Sequence, residues 1–368
     1  MGITRFALAL IVVLFHTGSN IGGPFAVYGF YIMSGYVMTA AMESTYQGRV
    51  KHFYVSRFWR LFPLYFVSVI AIWGSARLVI ASTHLTASNM PLVGAKLLAG
   101  GNPISGLIKG SIPDWNVQLG THPVLVAFFQ WNNPYWTVII ELLFYSMVPL
   151  IIWSQKPNKF MRSLVFFILS FLIYLYYVIY INQDLNKLNT YVYRNFLPTI
   201  VFFALGNFAF RLTEKYNFKR LRKNNKYLGL GLIIFLFLFA AKPIFPAHVV
   251  YTWLTIQWIT ATFTFLFILG TKKERKSRKG YSEYLGSLSY VIYVMQGFVI
   301  NIPMYIFLII GKSKFPSPNQ FFWFGRWNRI EIDIYAIATS VVLAAILERY
   351  IDRPISIWRH KGRTRTNT

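Results

Sequence analysis

Two titratable residues close the ends of the first apolar run of the chain, RFALALIVVLFH, residues 5 to 16. Arg5 and His16 are eleven positions apart, so at about 100° per residue they share one helix face, about 16 Å apart along the axis. With Arg5 at a membrane surface, His16 lies near mid-bilayer. An ionisable group is costly there and is a candidate functional residue. A neutral histidine hydrogen-bonded between helices would fit the same position. Glu141 is the second candidate, as the sole acid in NPYWTVIIELLFYSMVP (133–149). A span entered near 134 carries it roughly 10 Å below the outer surface, a depth compatible with His16. Such a carboxylate could fix the imidazole tautomer and stabilise the imidazolium, leaving the other ring nitrogen as a base. A protonated structural glutamate is the alternative.

Arg57 and Arg60 in RFWRLFP (57–63) are three apart and share a helix face. Two guanidinium forks on one face suit phosphate oxygens, which they can hold bidentately. Spacing alone favours ordinary anchoring at a cytoplasmic membrane surface. Ser34 and Gly35, within GFYIMSGYVM (29–38), read first as small residues at a close helix crossing. A serine nucleophile would need a neighbouring base that the sequence does not reveal.

The elements that must position these residues are membrane helices. Of the 368 residues, 55% are hydrophobic and 13% charged, against about 25% charged in a typical soluble domain. The apolar residues come in blocks such as SLVFFILSFLIYLYYVIYI (163–181), which carries no charge. About 20 apolar residues cross a hydrocarbon core of roughly 30 Å. Ten spans are expected, at about 5–19, 25–42, 60–82, 134–153, 163–181, 194–212, 227–243, 249–270, 284–310 and 332–352. The first is short and tilted or partly interfacial. It is read as a retained helix, since no small-residue cleavage pattern follows it. Residues 84–132 form a long extracytoplasmic or partly re-entrant segment.

The net charge of +26 and pI of about 10.2 could signal nucleic-acid binding. The cations instead sit in short connections, around 49–60, 156–162, 215–226, 272–279 and after 352, alternating with connections poorer in them. That is a topology signal. It predicts both termini in the cytoplasm and an even number of spans, with membrane lipid rather than nucleic acid as the partner. With no cysteine in the chain, disulfides and thiolate chemistry are excluded. No metal motif or Gly-rich nucleotide loop is present. The expected fold class is therefore an all-α polytopic membrane protein of about ten helices, N-in and C-in. A domain over 1–354 and a basic cytoplasmic tail over 355–368 are expected, with the chemistry done by the bundle and its loops.

These motifs occur together and in this order in one family. The chain resembles the membrane acyltransferase-3 family of bacterial inner-membrane O-acyltransferases, of the stand-alone type. The resemblance rests on Arg5 and His16, on FYIMSGY (30–36), and on Arg57-Phe-Trp-Arg60 with Pro63 and Tyr65. It continues through Trp136-Thr137 with Glu141 and Tyr145, LGSLSYVIYVMQ (285–296), and YIDRP (350–354). It implies transfer of an acyl group, most often acetyl from cytoplasmic acetyl-CoA, to a hydroxyl of an envelope glycan or lipid-linked saccharide such as lipopolysaccharide O-antigen. It implies His16 as general base or transient acyl carrier, assisted by Glu141. Arg57, Arg60 and Arg5 would hold the donor phosphates. Tyr31, Ser34 and Trp136 are the acceptor-site candidates, with His122, Asp114 and Trp115 as further contacts in the long segment. Two departures stand out. Gln296 occupies a place where family members often carry histidine, so no proton can be handled there. Asp352 replaces a glutamate. The rival reading is a glycolipid transporter or flippase of the same topology, which would also keep ionisable groups at mid-depth.

Overall fold

A computed structural model describes residues 1–19, 22–83, 135–154, 158–181, 184, 188–238, 249–271, 280–309 and 329–364. The long segment over 84–132, and with it Asp114, Trp115 and His122, lies outside the described residues. Helices follow one another as α1 (Gly2–His16), α2 (Gly23–Ser44), α3 (Val50–Thr83), α4 (Tyr135–Ser154) and α5 (Lys159–Ile181). Next come α6 (Phe196–Lys215), α7 (Lys219–Leu238), α8 (Val249–Leu269), α9 (Tyr281–Ile309), α10 (Arg329–Leu347) and α11 (Arg353–Thr364). Short π-helical stretches precede α6 (Leu188–Tyr193) and follow α10 (Glu348–Asp352).

Each of the ten expected spans falls on one of α1 to α10. Among the described residues, five helical stretches are long and apolar enough to cross a membrane by length and composition: Gly23–Ser44, Lys159–Ile181, Phe196–Lys215, Val250–Leu269 and Ile330–Trp358. The largest boundary differences are at α3 and α7. α3 starts ten residues before the expected 60, directly after the turn at Gly48 (φ +72°). α7 starts at Lys219 rather than 227. Apolar runs mark where lipid begins, whereas Lys and Arg are good helix formers that extend a helix beyond it.

The chain divides into two compact units. The first comprises Met1–Phe15, Asn20–Phe58 and Thr137–Ser289. Within it α2 is the central helix, buried on nearly every face, and α6 and α8 both pack on it. Backbones touch where α2 crosses α6. A Cβ on Gly35 would stand 2.2 Å from the Phe203 carbonyl oxygen, and one on Gly206 would stand 2.0 Å from that of Ile32. Only glycine allows this approach, as expected of small residues at membrane helix crossings. α5 shows the complementary pattern. Its buried residues are Ser163, Ser170, Tyr174 and Ile181, while Leu169, Leu172 and Ile179 point outward. Lipid solvates the apolar face, so the small and polar side chains turn inward.

A polar clasp joins α2, α5 and α6. Ser163 donates to Asn207 Oδ1 (2.6 Å), and Asn207 Nδ2 donates to Thr39 Oγ1 (2.9 Å). One helical turn on from each, Glu43 pairs with Arg211 (2.9 Å) and with Lys159, and Arg211 also reaches Glu214 (3.0 Å). The three i,i+4 pairs, Thr39/Glu43, Lys159/Ser163 and Asn207/Arg211, bring two layers into register because residues four apart share a helix face.

The second unit comprises His16–Ser19, Trp59–Trp136 and Tyr290–Thr368. Tyr290 on α9 donates to the Leu61 carbonyl of α3 (2.8 Å). Tyr335 on α10 donates to the Val299 carbonyl of α9 (3.1 Å). Trp358 of α11 meets Trp59 of α3 edge to face, with ring centroids 5.4 Å apart.

Candidate functional site

α1 carries Arg5 and His16 on one uninterrupted helix, so the expected one-face geometry holds. His16 is its last residue and is half-buried. Nδ1 of the imidazole donates to Gln296 Oε1 at 3.1 Å. Gln296 lies on α9 and is fully buried. Among the described residues, the other end of its amide, Nε2, has no hydrogen-bond partner. With Nδ1–H committed to the amide oxygen, the lone pair of the ring is on Nε2.

The chain immediately after His16 is pinned by a second residue. Thr17 Oγ1 donates to Asp333 Oδ1 and Ser19 Oγ to Asp333 Oδ2, each at 2.6 Å. Gly18 between them has φ +90°, a left-handed turn that glycine adopts without strain and that lets both hydroxyls reach one carboxylate. Asp333 sits near the start of α10. The backbone that ends α1 is thus tied to α10, and the ring of its last residue to α9.

Glu141 lies on α4 in the first unit. Ser34 of α2 donates to its Oε1 at 3.1 Å, and Tyr145, one turn along α4, donates to the same oxygen. The partner that the structure gives Nδ1 of His16 is Gln296, whose amide oxygen is a competent acceptor for an imidazole N–H. Ser34, a candidate for the acceptor site, is thereby a partner of Glu141. Its neighbour Gly35 forms the helix crossing that small residues implied. Tyr31 is buried, with its ring 4.8 Å from that of Phe203. Trp136, in the first turn of α4, is also buried.

Arg57 is 9% exposed. Its guanidinium carbon lies 5.6 Å from the Phe53 ring centroid and 5.9 Å from that of Tyr46, and Nη1 is 3.5 Å from Met38 Sδ. Tyr46 is itself fixed by donating to Ser56 (2.6 Å). A mere membrane anchor would extend its head into water. Arg57 is instead held by aromatic faces, which attract the cation without neutralising it. Arg60, one turn on, and Arg5 on α1 are half-buried.

Sequence reasoning assigned no positioning role to Gln296 and missed Asp333, Thr17 and Ser19 altogether. The available signal was Thr-Gly-Ser directly after the histidine together with an acid inside an apolar span. Among the described residues, no three His, Asp or Glu side chains come together as a metal site would require.

A family model described as an acyltransferase domain matches residues 2–349. No curated protein and no solved structure matches the chain. With its apolar helices, this match makes the chain a multi-pass membrane protein and an acyltransferase, which must bring an acyl donor and an acceptor together. The chain belongs to the acyltransferase-3 family.

Proposed function

We propose that this protein transfers an acetyl group from cytoplasmic acetyl-CoA to a hydroxyl of a cell-envelope glycan, such as lipopolysaccharide O-antigen, at the bacterial inner membrane. All ten long helices cross the bilayer in this reading, with both termini inside, and the donor arrives from the cytoplasm while the saccharide arrives from outside. The observation that carries the reading is the family match over residues 2–349.

His16 provides the chemistry. In direct transfer, its Nε2 takes the proton from the acceptor hydroxyl as that oxygen attacks the thioester carbonyl. The C–S bond breaks, and the departing thiolate takes the proton back as the free thiol. In covalent transfer, Nε2 attacks the carbonyl first and passes the acyl group to the hydroxyl. Both routes need a lone pair on Nε2, and the hydrogen bond from Nδ1 to Gln296 supports that arrangement. Arg57 and Arg60, with Arg5, hold the donor phosphates. The buried guanidinium of Arg57, held between the Tyr46 and Phe53 rings, supports this over simple anchoring. Glu141, held by Ser34 and Tyr145, is the second residue assigned to the chemistry, and Tyr31 and Trp136 are assigned to the acceptor.

The test is glycan analysis of a deletion strain by mass and NMR. A specific acetyl group should disappear and return when the gene is restored. An unchanged glycan, together with no acetyl-CoA turnover by the purified protein, overturns the assignment. Replacing Arg57 and Arg60 by Ala should raise the acetyl-CoA dissociation constant about tenfold or more, as expected when charge-assisted phosphate contacts are lost. Unchanged affinity returns the pair to an anchoring role.

A further inference from the structure

We infer that Gln296 is the positioning residue for His16: its amide oxygen fixes the imidazole as the Nδ1–H tautomer and so sets the ring lone pair on Nε2, the nitrogen that acyl transfer uses. This rests on the acyltransferase reading of the same site.

Three observations carry it. His16 Nδ1 and Gln296 Oε1 are 3.1 Å apart, within hydrogen-bond range for N–H to oxygen. Gln296 is fully buried, so water does not compete for that contact. The amide is also a half-used group: among the described residues its buried Nε2 donor has no partner. A buried donor left over in a packed protein calls for an explanation, and a ligand oxygen that arrives only with substrate is one. Gln296 therefore presents one end of its amide to the imidazole and keeps the other for an oxygen of the reacting groups.

The choice of a neutral amide has a chemical consequence. A carboxylate at this place would attract the Nδ1 proton and stabilise the imidazolium. An amide orients the ring without adding charge. In the covalent route the acyl-imidazole would then keep its Nδ1 proton and its full electrophilicity toward the acceptor hydroxyl. The two ties at the end of α1 divide the work: Asp333 fixes the backbone of residues 17 to 19 through two hydroxyls, and Gln296 fixes the ring.

The tautomer can be read without any turnover. The full-length protein is labelled with 15N-histidine in lipid nanodiscs, and the His16 signals are assigned by difference against His16→Ala. The expected spectrum has a protonated Nδ1 and an unprotonated Nε2 at neutral pH. A protonated Nε2 overturns the inference while leaving acyl transfer itself untouched. Kinetics supply the second arm. Gln296→Leu removes both ends of the amide and should lower kcat by about 100-fold with KM for acetyl-CoA unchanged. Gln296→Glu keeps an acceptor oxygen for Nδ1–H but loses the donor and favours the imidazolium, so it should keep Nδ1 protonated and lose only about tenfold. Wild-type kcat in the leucine variant, or a glutamate variant no better than leucine, counts against Gln296 as a positioning residue. If wild-type protein transfers no acyl group at all, the functional reading fails, and the spectrum still decides the tautomer.

Discussion

The clasp that joins α2, α5 and α6 and the cluster around residues 16 to 19 are both built from buried or half-buried polar side chains, yet they are finished differently. In the clasp, charge meets charge: Glu43 takes Arg211 and Lys159, and Arg211 also takes Glu214. Around His16, the Asp333 carboxylate accepts from two hydroxyls, and the imidazole meets a neutral amide whose other end has no partner among the described residues. Mutual compensation in the first region resists change, which is what a helix joint needs. In the second, the ring is oriented but its charge is not decided in advance, which is what a group that must gain and lose a proton needs.

That contrast can be broken most forcefully in the clasp. Arg211→Met leaves Glu43 with only the half-exposed Lys159 as a cationic partner. Removing one member of a buried pair typically costs about 3–5 kcal/mol, so thermal unfolding in detergent should show the largest loss of any single change named here. The helix crossing beside the clasp comes next. Gly35→Ala puts a Cβ on the Phe203 carbonyl oxygen, and overpacking of this kind costs about 1–3 kcal/mol, read from the same melting curves. Around His16 the order of effects reverses, with activity falling and stability holding. Asp333→Ala removes the carboxylate that accepts from Thr17 and Ser19 and should lower kcat roughly tenfold, the effect of losing charge-assisted hydrogen bonds that position a reacting residue. Its melting temperature should stay within a few degrees of wild type. The smallest effect belongs to the clasp's solvent-facing member. Lys159 is 39% exposed, and Lys159→Ala should cost no more than about 1 kcal/mol. A stability loss for Asp333→Ala as large as that for Arg211→Met would erase the distinction between the two regions.

Much of the helical scaffold was legible because lipid imposes a simple rule. Apolar runs of span length must be helices, and each expected segment falls on one. The one-face placement of Arg5 and His16 followed from helical periodicity alone, and the Gly35 crossing from small-residue chemistry. What stayed hidden depends on which helices pack side by side. Glu43, Arg211 and Lys159 look like three separate charges near the ends of runs, and only the contact of three helices makes them one joint. Gln296 stood out as a departure from histidine, yet its role needed the 280-residue separation from His16 to be closed in space. Glu141 accepts from Ser34 and Tyr145, hydroxyls that a search for charges passes over.

Central to the account is that His16 carries acyl transfer. The direct test measures label transferred from radiolabelled acetyl-CoA to purified envelope glycan by the wild-type protein and by His16→Ala, both in lipid nanodiscs. The account predicts transfer by the wild type and a fall of about 10²- to 10⁴-fold in the variant, with an unchanged melting temperature. Transfer that persists undiminished in a folded His16→Ala protein would contradict it.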